Sequence, residues 1–261
     1  MATGTQEYAE RSAPAPRADY AALWVGILLS ALWTGAIWLL APRLSDIPHW
    51  PDSGAAWYYW RLMEPTTAAR VSAWGGYLLH QAAMWWLIWK AQRERPRYGD
   101  NLRWFNWAAL FVNAVFILLH TVQTHLWYGA LAEDVSIWSS QWSVIVLLVL
   151  VVLMENKRRG LILGKKVNLL NRAGDFVRVY HGYIFVWATI YTFWYHPTEA
   201  TPGHLVGFFY TFLLMLQGSL IFTRAHLNRW WTASLETLVL IHGTMVAVVA
   251  GKGLWPMFTF G

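Results

Sequence analysis

The sequence predicts an all-α fold: a polytopic transmembrane bundle of seven helices with a cytoplasmic N-terminus and the C-terminus outside. Three observations predict it. Hydrophobic residues make up 57% of the 261 residues and charged residues only 13%, whereas a soluble domain carries about 25% charged residues. Seven segments approach the roughly 20 mostly apolar residues that a helix needs to cross about 30 Å of hydrocarbon. The basic residues fall in short clusters between those segments, alternating from one side to the other. The 20 tryptophans suit a membrane–water boundary, where the ring sits in an apolar layer and the N–H in a wet one.

The segments are about 20–41, 68–90, 104–128, 136–154, 175–195, 204–223 and 231–254. With the N-terminus inside, the inside stretches 1–19, 90–103, 155–178 and 224–229 hold 16 of the 20 Lys and Arg. The outside holds Arg43, Arg61, Arg70 and Lys252. This bias sets the orientation. It also explains the net charge of +6 as membrane topology and not as a nucleic-acid surface, so the bilayer is the expected partner. Residues 1–19 are polar and Pro/Ala-rich and read as a disordered cytoplasmic tail, unlike a cleaved signal peptide. Residues 20–261 form the transmembrane domain. The longest outside stretch, about 42–67, has Pro42, Pro48, Pro51, Pro65 and several aromatics. It is expected to fold over the outer mouth of the bundle.

Cysteine is absent, so any metal or haem ligand must be His, Met, Asp, Glu, Tyr or backbone. Polar residues inside the apolar segments are the first functional candidates, because an unpaired polar group in lipid costs several kcal/mol. In the third segment Asn106, Asn113 and His120 are seven apart and Thr124 follows one turn later, so they form one stripe. Tyr210, Gln217 and Arg224 repeat the spacing in the sixth. Such stripes need each other, a cavity or a ligand. His80, His120 and His242 lie deep; His181 and Glu236 lie toward the inside. The plain reading is interhelical hydrogen bonding. The sharper one is axial ligation of haem b or a histidine metal site.

A second cluster lies outside: His125, Glu133, Asp134, His196, Glu199 and His204. His125, His196, Glu199 and His204 are candidate ligands of a metal ion through imidazole and carboxylate. A solvated, Pro-broken turn is the plain alternative. Glu236 is a candidate intramembrane acid, or an inner-interface Glu pairing with Arg224 or Arg229.

Some spacings resemble a known family. Trp187, Pro197, Gly207, Phe208 and Tyr210, together with His80, the Arg103-Trp104 pair and Glu155, resemble the corresponding regions of heliorhodopsins. That family also has seven helices, an inside N-terminus and a long first outside loop. The resemblance implies a retinal pocket. It also implies a Schiff-base Lys in the middle of the seventh helix and a Glu just after the Arg-Trp pair. Here the Glu position is Asn106, and Ile241 to Ala247 contain no Lys. Lys252 lies 16 residues beyond Glu236, about 24 Å along a helix, near the outer interface where a Lys is normal. A relative without covalent retinal fits both departures.

Three function classes follow. The first is a heliorhodopsin-like protein binding a small apolar ligand or cofactor in an aromatic pocket lined by His80, Asn113, His120, Trp187, Tyr210, Gln217 and His242. The second is a haem b or metal oxidoreductase subunit. The third is a membrane enzyme acting on a lipid-like substrate through Glu236 or the outer His/acid cluster. A homodimer or larger membrane complex is compatible with each.

Overall fold

A computed structural model of the chain describes residues 17–54, 57–94, 96–159, 165–167 and 171–249. Among the described residues it is all-helical. The helices are α1 (Ala18–Leu40), α2 (Thr67–Glu94), α3 (Trp104–Trp127), α4 (Ile137–Arg159), α5 (Asn171–Tyr195), α6 (Pro202–Ser219) and α7 (Arg229–Val249), with short 3-10 turns at Ala41–Leu44 and Leu131–Glu133. Three stretches are long and apolar enough to cross a membrane, namely Ala18–Leu44, α3 and α7. They point to membrane association. Their outward faces agree: Trp24, Leu28, Leu32, Phe111, Trp230 and Leu240 are all exposed, an arrangement that water would disfavour.

Local chemistry sets the helix ends. Thr66 Oγ1 accepts from Ala69 N–H at 3.1 Å at the start of α2. Thr201 Oγ1 accepts from His204 N–H with Pro202 in the first turn of α6, where a missing N–H costs nothing. Asn228 Oδ1 accepts from the N–H groups of Trp230 and Trp231 at the start of α7. Several ends differ from the sequence expectation. α2 runs on to Glu94 and α4 to Arg159, because polar residues alone do not stop a helix. α6 ends at Ser219, four residues before the expected 223, and a turn through 220–228 follows. The expected end of the seventh helix at 254, with Lys252, lies outside the described residues.

α2 packs between α3 and α5, α4 packs on α5, and α6 packs against α1, α3, α5 and α7. One end of the bundle is closed by Asp19, which is fully buried. Its carboxylate accepts from Ala225 N–H at 2.8 Å and pairs with Arg17 at 3.0 Å, and its own N–H donates to Asp100 O at 2.9 Å. A carboxylate is favourable at this helix N-terminus. Residues 17–19, counted above with the disordered tail, therefore belong to the fold. The opposite end, the mouth, carries the 41–66 connection, the C-terminal ends of α3 and α5 and the N-terminal end of α6.

Small residues set the closest approaches. A Cβ at Gly76 would lie 2.1 Å from the Trp194 ring, whereas one at Gly75 would meet nothing within 4 Å. Gly76→Ala is expected to displace the fully buried Trp194 and destabilise by about 1–3 kcal/mol. Gly75→Ala is expected to be neutral or stabilising by up to about 1 kcal/mol. Thermal unfolding of the two purified variants in the same detergent measures the contrast.

Candidate functional site

Many interior polar groups are paired off, although the buried Gln81 of α2 has neither side-chain polar atom hydrogen-bonded among the described residues. Asn106 Nδ2 donates to Ser219 O and Ile221 O at 2.7 and 2.9 Å. Asn113 Nδ2 donates to Ser219 Oγ at 2.9 Å, so its Oδ1 is the atom facing His80 Nε2 at 2.8 Å. The proton is therefore on His80 Nε2, and Nδ1 accepts from Trp194 Nε1–H at 3.3 Å. His120 is held as firmly. Gln123 Nε2 donates to Gly129 O at 2.7 Å, which turns its Oε1 toward His120 Nδ1 at 3.0 Å, while His120 Nε2 faces His196 O at 2.8 Å, so a neutral ring donates to one of these two acceptors and has the other packed against its second nitrogen. Neither imidazole keeps a free nitrogen for iron. Phe116 stacks on His80, and Trp194 and Phe193 flank His120.

The mouth is built differently. The 41–66 connection folds over it and is latched from above. Tyr128 Oη donates to Glu199 Oε1 at 2.6 Å, so the contact of His49 Nε2 with Tyr128 Oη at 2.6 Å carries the histidine's proton. Tyr128 caps α3 with φ 57°, a left-handed backbone that costs a bulky residue about 1–2 kcal/mol. Its buried hydroxyl bonds hold it there. Burial and the Glu199 charge raise the Tyr128 phenol far above its usual range, so it remains a donor. A second latch joins Tyr58 Oη to His204 Nε2 at 2.8 Å, with Thr201 Oγ1 on His204 Nδ1 at 2.7 Å. Trp60 wedges edge-on between His49 and His204.

Beside these latches lies a half-open cavity of about 280 Å³, with Trp57, Tyr58, Arg61, Glu133, Asp134 and Tyr195 in its wall. Three of these residues carry a buried polar atom without a hydrogen-bond partner among the described residues: Trp57 Nε1, Arg61 Nε and Glu133 Oε2. The Arg61 guanidinium stacks 4.1 Å above the Trp57 ring. Glu133 Oε1 accepts from Leu62 N–H at 2.9 Å, and burial pushes the Glu133 carboxyl up to about 7. The neighbouring Asp134 takes Arg70 Nε at 2.7 Å and Trp74 Nε1 at 3.0 Å.

The sequence candidates scatter across this framework. His80, Asn113 and His120 share the packed interior. Trp187 stacks on Tyr191, and Tyr210 faces His242 at 6.4 Å between α6 and α7. Gln217 is at the Asp19 end, accepting from Trp231 Nε1 at 2.6 Å and donating to His226 O at 3.1 Å. The two polar stripes do not meet. That of α3 bonds to backbone of the α6 end, while Arg224 lies beyond α6 and reaches Asp100 at 3.5 Å.

The four metal candidates also part company. His125 Nδ1 donates back to Thr121 O, Glu199 is held by Tyr128, and both His204 nitrogens are engaged. His196 lies 5.7 Å from His204, ring to ring, and burial holds it well below the usual histidine range. Among the described residues no three His, Asp or Glu side chains are placed to share a metal ion. His49, Trp57, Tyr58, Arg61 and Tyr128 were not among the sequence candidates. For the four in the connection the only signal was its aromatic, Pro-rich character; Tyr128, at the end of α3, had none. Comparison with protein-family models, with curated proteins and with solved structures gave no match.

Two outcomes are expected. Tyr128→Phe removes the shared hydroxyl and leaves Glu199 and His49 without it, at a cost of about 1–3 kcal/mol. Faster hydrogen exchange or proteolysis in residues 45–66 reads the loss of the latch. In addition, the purified protein is expected to show no haem Soret band, because both nitrogens of His80 are bonded and both of His120 face an acceptor.

Proposed function

We propose that this chain is a seven-span membrane protein, N-terminus inside, which binds a small polar molecule at its outward-facing mouth. The observation that carries the reading is the cavity wall with three unpartnered buried polar atoms. Buried atoms without a hydrogen-bond partner also occur elsewhere among the described residues, as in Gln81 and Thr198, but they do not gather around one opening, and a buried donor or acceptor left alone costs about 1–3 kcal/mol. Three around one opening favour a bound partner there. The scaffold is of the heliorhodopsin kind that the spacings resemble, with the ligand at the mouth in place of a retinal at the midplane.

The orientation is supported by the distribution of Lys and Arg, 16 of 20 on the inside. The four less apolar helices fit as spans because their polar residues face neighbouring helices or lie near their ends. Asn113 bonds to His80 of α2, and Arg172, Asp175 and Arg178 sit in the first turns of α5.

Reporter fusions check the topology. A reporter active only outside is expected to be active in the 45–54 stretch and inactive when fused at residue 97. Thermal-shift screening of small polar compounds checks the site. At least one compound is expected to stabilise the protein, and Arg61→Ala or Trp57→Phe is expected to abolish that shift. Stabilising compounds that act equally on these variants would move the site elsewhere.

A further inference from the structure

The stretch 90–104, from the last turns of α2 to the start of α3, holds five bases, Lys90, Arg93, Arg95, Arg97 and Arg103, and two acids, Glu94 and Asp100. Both acids are committed elsewhere. Glu94 Oε1 accepts from Trp104 Nε1–H at 2.8 Å. Asp100 pairs with Arg17 at 2.8 Å and reaches Arg224 at 3.5 Å. Among the described residues neither Lys90 nor Arg93 makes an ion pair. Glu94 is one turn from Lys90 in sequence, yet its bond goes to the α3 indole.

The two unpaired cations share a face of α2 with exposed indoles. Lys90 and Arg93 follow Trp86 by four and seven residues and Trp89 lies between, so all four fall on one side of the helix. Lys90 Nζ is 5.7 Å from the centre of the Trp86 ring and 5.5 Å from that of Trp89, and Arg93 Cζ is 4.4 Å from the Trp89 ring centre. Two like charges therefore meet over one indole with no carboxylate paired to either. Trp104 of α3 extends the face, its ring 6.2 Å from that of Trp86. Trp86, Trp89 and Trp104 are 51%, 40% and 47% exposed, a grouping that water disfavours.

An anion over this face relieves the repulsion, and an apolar body covers the rings. A free phosphate ester supplies the first without the second. A neutral lipid supplies the second without the first. We propose that this face of α2 and α3 docks an anionic phospholipid of the inner leaflet. Its phosphodiester lies against Lys90 and Arg93, and the first carbons of its chains cover Trp86, Trp89 and Trp104. Indole rings take the level between hydrocarbon and water, and bases clustered just inside a span attract anionic headgroups. A zwitterionic lipid brings the same phosphate with an amine that the two bases repel. The choice of leaflet rests on the orientation proposed above; the docking itself does not.

The test is native mass spectrometry of the purified full chain in detergent, with thermal shift as a second reading. The probes are dioleoylphosphatidylglycerol, dioleoylphosphatidylcholine and glycerol phosphate. Phosphatidylglycerol is expected to bind about tenfold or more tightly than phosphatidylcholine and to stabilise the protein. Replacing both bases, Lys90→Gln with Arg93→Gln, is expected to weaken it about tenfold or more, the scale of two bases at an anionic surface. Lys165→Gln with Lys166→Gln removes the same charge from two exposed residues of another inside stretch and is expected to change that binding by about twofold at most, screened as distant surface charges are. Lys90→Arg with Arg93→Lys keeps both charges and is expected to keep the preference. Each variant alters the surface and is expected to unfold without lipid near the parent temperature.

Equal binding of the two lipids would overturn the charge selection. Equal losses in the two glutamine pairs would reveal diffuse attraction and overturn the local site. Glycerol phosphate that binds as tightly as the lipid would make this a phosphate-ester site and overturn the lipid assignment. A reporter active outside when fused at residue 97 would overturn the inner-leaflet placement and the orientation together, and the lipid titration would still decide the docking.

Discussion

The packing of this protein depends on one polar stripe being satisfied in apolar surroundings. Asn106, Asn113, His120 and Thr124 are all buried along α3, and each has a specific partner on another element. Asn106 holds the carbonyls at the end of α6, Asn113 links α2 to α6, His120 holds the carbonyl that follows α5, and Thr124 accepts from Thr198 N–H at 3.1 Å. Between helices in lipid the hydrophobic effect supplies little, so close packing and such bonds decide the arrangement. Rotating α3 by one residue would break all four sets together. The Gly76 and Trp194 contact is the steric counterpart, fixing how near α2 and α5 come.

The α3 stripe was legible because a seven-residue repeat is close to two turns of helix, whatever the partner. What it would bond to was not. By spacing alone, it and the Tyr210, Gln217 and Arg224 stripe need each other, a cavity or a ligand. In the structure α6 turns its backbone carbonyls and Ser219 toward α3, and Gln217 faces the turn before α7. Backbone acceptors carry no sequence signature. The mouth was legible only as a place: the prolines and aromatics of the connection implied a cover over the bundle. That His49 would meet Tyr128, or Trp57 lie under Arg61 beside Glu133, depends on contacts across 70 or more residues with no periodicity to expose them.

The contrast between the two regions is itself informative. His80 has both ring nitrogens engaged, and His80 and His120 sit among packed aromatic rings, as expected of groups that hold helices in register. At the mouth, donors and an acid are buried and unmatched next to an open volume, and a bulky residue is held in a left-handed backbone nearby. Local rules tend to be broken where a protein does its work. The histidines, which drew attention first because of their depth, are thereby read as structural, and the acid at a half-buried turn as functional.

The latch over the mouth has a consequence for biosynthesis. Residues 45–62 are made early, yet their partners Tyr128, Glu133, Glu199 and His204 follow by up to about 150 positions in the chain. Synthesis adds roughly 5–20 residues per second, so this stretch waits on the order of ten seconds before its last partner exists. During that time α2 to α5 are made while the stretch stays open. The mouth is thus the last region to mature, and a nascent chain halted before α6 would present an unfastened, aromatic-rich loop to quality control.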